Sequence, residues 1–125
     1  MDKPKILIVD DDPDLVLGLN MRLQANDYDT ACAREGISAV SMAYRERPDL
    51  IILDLGLPAG DGFLVLERLQ QSTTLASIPV IILTARDRES SRERALKAGA
   101  SAFFQKPIDN GRLLCAIRTT LRYWS

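Results

Sequence analysis

The sequence contains no histidine. That removes every mechanism in which an imidazole activates a serine or cysteine nucleophile, and it removes a phosphohistidine relay within the chain. Cysteine is scarce as well. Cys32 and Cys115 are the two thiols, they form no CxxC pair, and nothing in their placing suggests a zinc site or a disulfide framework. Both read as free packing residues. No apolar run approaches the roughly 20 residues that a membrane-spanning helix needs, and residues 1–5 are too polar to open a secretory signal. The expected location is therefore cytoplasmic, with no membrane partner. Positive charge is not in excess either: 16 Lys and Arg against 17 Asp and Glu leave a formal charge of −1. That is too little for the basic field that holds nucleic acid by its phosphates, so direct nucleic acid binding is not expected. Carboxylates, hydroxyls and amines remain for chemistry.

What is present suits one core. With 46% of its 125 residues hydrophobic, the chain reads as a single domain over residues 1–125, without a linker, repeat or low-complexity segment. The apolar runs at 6–9, 50–53 and 80–83 are unbroken and rich in β-branched residues, the pattern of parallel strands covered on both faces. "YDTAC" (28–32) is half polar and suits an edge strand, and "SAFFQ" (101–105) completes five. Helical spacing fills the intervals. Asp12 before Pro13 reads as a cap for a helix carrying Leu15, Leu19 and Leu23, Asp61 for one carrying Phe63, Leu66 and Leu69, and Asp109 for one carrying Leu113, Ile117 and Leu121. Residues 36–47 form another. The fourth helix, about 87–98, offers only Ala95, Leu96 and Ala98 to a core before Gly99 ends it, and it should be loosely anchored. Strand and helix alternate throughout, which predicts an α/β fold with a doubly wound sheet.

In such sheets functional groups gather outside the carboxyl ends of the strands, near the point where strand order reverses. Each run here stops on a polar residue: "ILIV" on Asp10 and Asp11, "LIIL" on Asp54, "VIIL" on Thr84 and "FFQ" on Lys106. Parallel neighbours would bring three carboxylates, a hydroxyl and an ammonium to one rim. Carboxylates about 5 Å apart repel by roughly 3 kcal/mol per pair at an effective dielectric near 20, more than one lysine offsets. A hard divalent cation offsets it, and Mg²⁺ favours a few carboxylates together with water and a phosphoryl oxygen. One carboxylate is then placed as a nucleophile toward phosphorus, forming an aspartyl phosphate whose oxygens want cationic and hydroxyl partners.

Taken in order, "ILIVDDD", "IILDLGLPAGDG", "VIILTA", "GASAFF" and "KP" make the chain resemble the receiver (CheY-like) domain of two-component response regulators over nearly its whole length. The resemblance implies a flavodoxin-like fold, a five-stranded parallel sheet in the order 2-1-3-4-5 with five helices on both faces. It implies a phosphoacceptor switch of a phosphorelay and not an enzyme acting on other substrates. Asp54 would accept a phosphoryl group, in the presence of Mg²⁺, from a sensor histidine kinase, a phosphotransfer protein or a small phosphodonor. Asp11 would bind the metal directly and Asp10 mainly through water, joined by Asp54 and the Gly56 backbone carbonyl. Thr84 would follow the phosphoryl group, Lys106 would pair with it across a cis Lys106–Pro107 peptide, and Phe103 would be the switch aromatic. The face of helix 4, strand 5 and helix 5 would meet an output domain or a downstream protein.

Several positions depart from the commonest family pattern. Phe103 replaces a frequent tyrosine, which removes a phenol hydroxyl but leaves ring rotation. Gly56 and Arg86 hold the positions that tune phosphoryl lifetime. Ser101, Ala102 and Ala116 stand where the winged-helix subfamily carries acids and an arginine for pairing through that face, so that dimer is not implied. An output domain, for a sequence ending at Ser125, would be absent or removed. Two other readings stay open: a haloacid-dehalogenase-like phosphatase with Asp10 as nucleophile, though Asp14 replaces the usual Thr or Val of its motif, and a receiver-fold binding module that is never phosphorylated. A flavin site is disfavoured because an acidic first loop repels phosphate. Plainer roles also exist: Asp12 and Asp14 as a cap and a first-turn charge, Phe103 as a core aromatic, and "LGLPAGDG" as a turn shaped by Pro58 and Gly62.

Overall fold

Along each central strand, successive side chains enter two different cores. Leu7 and Val9, Ile51 and Leu53, Val80 and Ile82 pack on one face of the sheet, while Ile6 and Ile8, Leu50 and Ile52, Ile81 and Leu83 pack on the other. That is why these runs show no polar alternation: both faces are dry. The computed structural model describes residues 3–57 and 62–124. Strands β1 (Lys5–Val9), β2 (Asp29–Ala33), β3 (Leu50–Leu53), β4 (Val80–Thr84) and β5 (Ala102–Gln105) alternate with helices α1 (Pro13–Ala25), α2 (Gly36–Glu46), α3 (Gly62–Gln71), α4 (Arg88–Lys97) and α5 (Asn110–Trp124). All strand pairs are parallel, in the order β2-β1-β3-β4-β5. This is the flavodoxin-like arrangement expected from the sequence. β2 and β5 are the edges.

The two faces are built differently. α1 and α5 cover one with Leu19, Leu23, Leu113 and Ile117. α2, α3 and α4 cover the other, α3 with Phe63, Val65, Leu66 and Leu69, but α2 and α4 chiefly with alanines. α4 is the least apolar helix, and its fully buried positions are Ser91 and Ala95. The sequence reading omitted Ser91, because a serine in a run of charges carries no hydrophobic signal. Capping follows the expected residues where they are described. Asp12 accepts from the backbone N–H of Asp14 and Leu15, Asp87 from that of Glu89, and Asp109 from that of Arg112. The expected α3 cap Asp61 and the turn residue Pro58 lie outside the described residues.

Two strand ends differ from expectation. β2 begins at Asp29, one residue late, because Tyr28 turns into the α1/α5 core at 8% exposure. β5 begins at Ala102, and Ser101 only donates its N–H to the Val80 carbonyl.

Gly62 is a close backbone approach: a Cβ there would lie 2.4 Å from Leu55 Cα and 2.5 Å from the Asp54 carbonyl oxygen. Gly18, in the middle of α1, would meet nothing within 4 Å. Gly62→Ala should therefore lower stability by about 1–3 kcal/mol as the turn is forced open. Gly18→Ala should raise it by about 0.5–1 kcal/mol through helix propensity alone. Urea unfolding midpoints of the two variants check both signs.

Candidate functional site

β1 and β3 are neighbours, yet the chain leaves β1 toward β2 on one side and returns to β3 on the other, so their carboxyl ends flank the point where strand order reverses. Register does the rest. Val9 pairs with Leu53, and the Asp54 N–H donates to the Val9 carbonyl at 2.9 Å, which sets Asp10 and Asp54 side by side. Carboxylate oxygens of Asp10, Asp11 and Asp54 lie within 4.8 Å of one another. Asp10 and Asp54 are buried, at 3% and 7% exposure, whereas Asp11 faces solvent. At the other side of the sheet the Lys106 N–H donates to the Thr84 carbonyl, at the end of the β4–β5 ladder. The Lys106–Pro107 peptide is cis. Lys106 Nζ reaches Asp10 Oδ2 at 2.8 Å and Asp54 Oδ2 at 3.6 Å.

Local backbone donors fix the remaining oxygens. The Asp12 N–H donates to Asp10 Oδ1 at 2.9 Å, and the Gly56 N–H donates to Asp54 Oδ1 at 3.1 Å. Both oxygens of Asp10 are thus engaged. A Cβ on residue 56 would stand 3.6 Å from Asp54 Oδ1, so glycine leaves that side of the carboxylate open. Thr84 sits at the end of β4, fully buried, and its Oγ1 accepts the Arg86 N–H at 3.3 Å. The structure therefore brings Asp10, Asp11, Asp54, Gly56 and Lys106 into direct contact range, with Thr84 facing the following turn. Phe103 stands apart from the carboxylates, buried among the residues beneath α2, α3 and α4.

The electrostatics are those of a site short of positive charge. Burial raises the Asp10 pKa above the ordinary carboxylate value, and the charge of Asp54 adds to this against the hydrogen bonds from Lys106 and Asp12. For Lys106, burial opposes the charged form, but the hydrogen bond to Asp10 and the charges of Asp10 and Asp54 outweigh it, and the pKa rises. One ammonium serves three carboxylates. A cluster of three oxygen donors with this surplus charge, one of them open to water, suits a hard divalent cation. Sequence reasoning had Lys106 awaiting a phosphoryl group; its strong pairing with Asp10 was not visible without the register of β5 on β4.

A family model described as "Response regulator receiver domain" matches residues 6–118. The chain is 40% identical over 119 residues to the response regulator PleD of Caulobacter vibrioides, covering 95% of this chain and 26% of that protein. It is 39% identical over 119 residues to the DNA-binding dual master transcriptional regulator RpaA of Synechocystis, covering 95% and 49%. The chain thus spans between about a quarter and a half of the length of these curated relatives. Its fold matches the receiver domain of a sensor histidine kinase from Pseudomonas aeruginosa with a TM-score of 0.88 and 28% identity, over 98% of this chain and 99% of that one. That structure was solved with a magnesium ion coordinated in the active site cleft.

A raised Asp10 pKa has a definite sign in stability. The folded state holds the proton more tightly than the unfolded chain, so this contribution is full below about pH 3.9 and is lost as pH rises through the folded value. In chelator, Asp10→Asn should flatten the stability profile above about pH 4. At pH 7 it should gain on the order of 1 kcal/mol, since removing a repulsion of up to about 3 kcal/mol outweighs the lost pairing with Lys106. Urea titrations of both proteins across that range measure the difference.

Proposed function

The chain belongs to the response regulator receiver domain family of two-component systems, and from this we propose that it is a phosphoacceptor switch in which Asp54 takes the phosphoryl group. The observation that carries the reading is the meeting of Asp10, Asp11 and Asp54 within 4.8 Å opposite the single ammonium of Lys106. Residues 1–125 act as one receiver domain, in the cytoplasm. Such domains signal, and no reaction beyond phosphotransfer to and from its own aspartate is assigned.

Asp54 is the nucleophile by position. One oxygen is oriented by the Gly56 N–H while the other lies 3.6 Å from Lys106. Attack by a carboxylate oxygen forms the Asp54–phosphorus bond as the bond from phosphorus to the donor atom breaks, and the leaving group departs with the bonding pair. Lys106, within reach of Asp54, then pairs with the new phosphoryl oxygens. The Thr84 hydroxyl, one strand away, leaves the Arg86 N–H to donate to another of these oxygens. Asp10, Asp11, Asp54 and the Gly56 carbonyl would hold Mg²⁺, which when bound neutralises the crowded carboxylates and the incoming phosphate.

Asp10 serves poorly as a phosphatase nucleophile, because Lys106 and the Asp12 N–H already occupy its two oxygens. The donor is a sensor histidine kinase or phosphotransfer protein, and the signal leaves through the face of α4, β5 and α5 toward an output domain or a downstream protein. Phe103, buried beneath α4, is the aromatic that repacks in the switch.

Incubation with acetyl phosphate and Mg²⁺ should add one phosphate to Asp54, located by mass spectrometry. Chelator or Asp54→Ala should abolish it; phosphate retained by Asp54→Ala would contradict the assignment. Without any phosphodonor, Mg²⁺ at a hundred times its Kd should raise stability by about 2.7 kcal/mol. Asp11→Asn, altering an exposed residue, should shift that titration to higher Mg²⁺ without impairing the fold.

A further inference from the structure

α4 carries the proposed output surface, yet it is tied to the core by little. Its fully buried side chains are Ser91 and Ala95, and the exposed remainder of the helix is strongly charged. Something besides apolar burial must set its position. The Arg94 guanidinium, on α4, lies over the ring of Phe63 with its carbon 3.8 Å from the ring centroid. The Arg86 guanidinium, from the turn after Thr84, approaches the same ring at 5.8 Å.

Phe63 is the second residue of α3, at the end of the segment that leaves Asp54, and it is 5% exposed. Gly62, just before it, donates its N–H to the Leu55 carbonyl and admits no side chain against that backbone. The ring is therefore fixed to the Asp54 loop by a tight turn. The two arginines are fixed to Thr84 and to α4: the Arg86 N–H is held by the Thr84 hydroxyl, and Arg94 is one residue from buried Ala95. A cation over an aromatic face is attracted by the ring quadrupole, and more so where one side of the ring is dry.

We propose that Phe63, gripped by Arg94 and Arg86, is a positioning residue that ties α4 and the turn after β4 to the segment following Asp54, and so sets how readily α4 answers phosphorylation. The coupling rests on the phosphoacceptor reading above; the grip itself does not. If Thr84 turns its hydroxyl toward a phosphorylated Asp54, the Arg86 N–H loses its acceptor and the Arg86 side chain is drawn off the ring. Arg94 is then left as the remaining tether, and the resting position of α4 loses part of its advantage over the alternative. The grip stabilises the resting state, so weakening it lowers the cost of switching.

The test is amide hydrogen exchange of the unphosphorylated chain, read over α4, followed by the rate of Asp54 modification by acetyl phosphate. Phe63→Leu and Arg94→Met should each speed α4 exchange about five-fold, equivalent to about 1 kcal/mol at 1.4 kcal/mol per tenfold. Exchange in β1 and α1 should not change. The double variant should go no further than the singles, because both remove one interaction. Phe63→Tyr, which keeps the ring face, should restore slow exchange. All exchange-accelerating variants should accept phosphate faster by a similar factor.

A purely structural Phe63 would instead give additive effects and faster exchange throughout the sheet. Unchanged α4 exchange in Arg94→Met, an exposed position that can be replaced without opening the core, overturns the grip. So does additivity. Faster exchange with an unaltered phosphorylation rate overturns the coupling. Absence of any phosphate on wild-type Asp54 defeats the phosphoacceptor reading instead, and the exchange cycle still decides on the grip.

Discussion

Like charges held together at one rim of a sheet are the constraint around which this molecule is arranged. Two buried carboxylates and an exposed one lie within 4.8 Å of each other, and at an effective dielectric near 20 each pair repels by about 3 kcal/mol. No local feature of the chain would tolerate that. The arrangement persists because Asp10 and Asp54 continue strands whose side chains fill two dry cores, so separating the carboxylates would mean unpairing β1 from β3. Lys106, brought across two further strands, offsets part of the repulsion. Apolar burial in the sheet thus holds an unfavourable electrostatic state in readiness for a cation and a phosphoryl group.

Much of this was legible in the residues. Unbroken apolar runs announced strands covered on both faces, and the polar residue terminating each run marked the functional rim before any topology was known. The caps Asp12, Asp87 and Asp109 were readable because a short carboxylate before a helical period has few other uses. What escaped depended on distances across elements. The engagement of both Asp10 oxygens needs the register of β5 on β4 and a turn conformation at Asp12, neither of which periodicity encodes. Tyr28 read as a strand residue because aromatics favour strands; its pull into the α1/α5 core is a tertiary effect that overrides that preference. Ser91 and the two arginines over Phe63 belong to the same class, polar residues whose role appears only when the helix is docked.

The cores also distribute rigidity. α1 and α5 bury leucine and isoleucine, whose contact areas make displacement costly, while α4 buries a serine and an alanine. Local opening therefore concentrates on one side of the molecule, next to β4 and β5, whose ends carry Thr84 and Lys106. The residues that would sense a new phosphate and the helix best able to move are consecutive in the chain.

The meagre inward surface of α4 has an evolutionary corollary. A helix that gives the core so few atoms can exchange almost every outward residue without disturbing folding. Specificity for successive interlocutors can be rewritten there while the acid cluster and its sheet stay untouched. One scaffold can in this way diversify its listeners and conserve its chemistry.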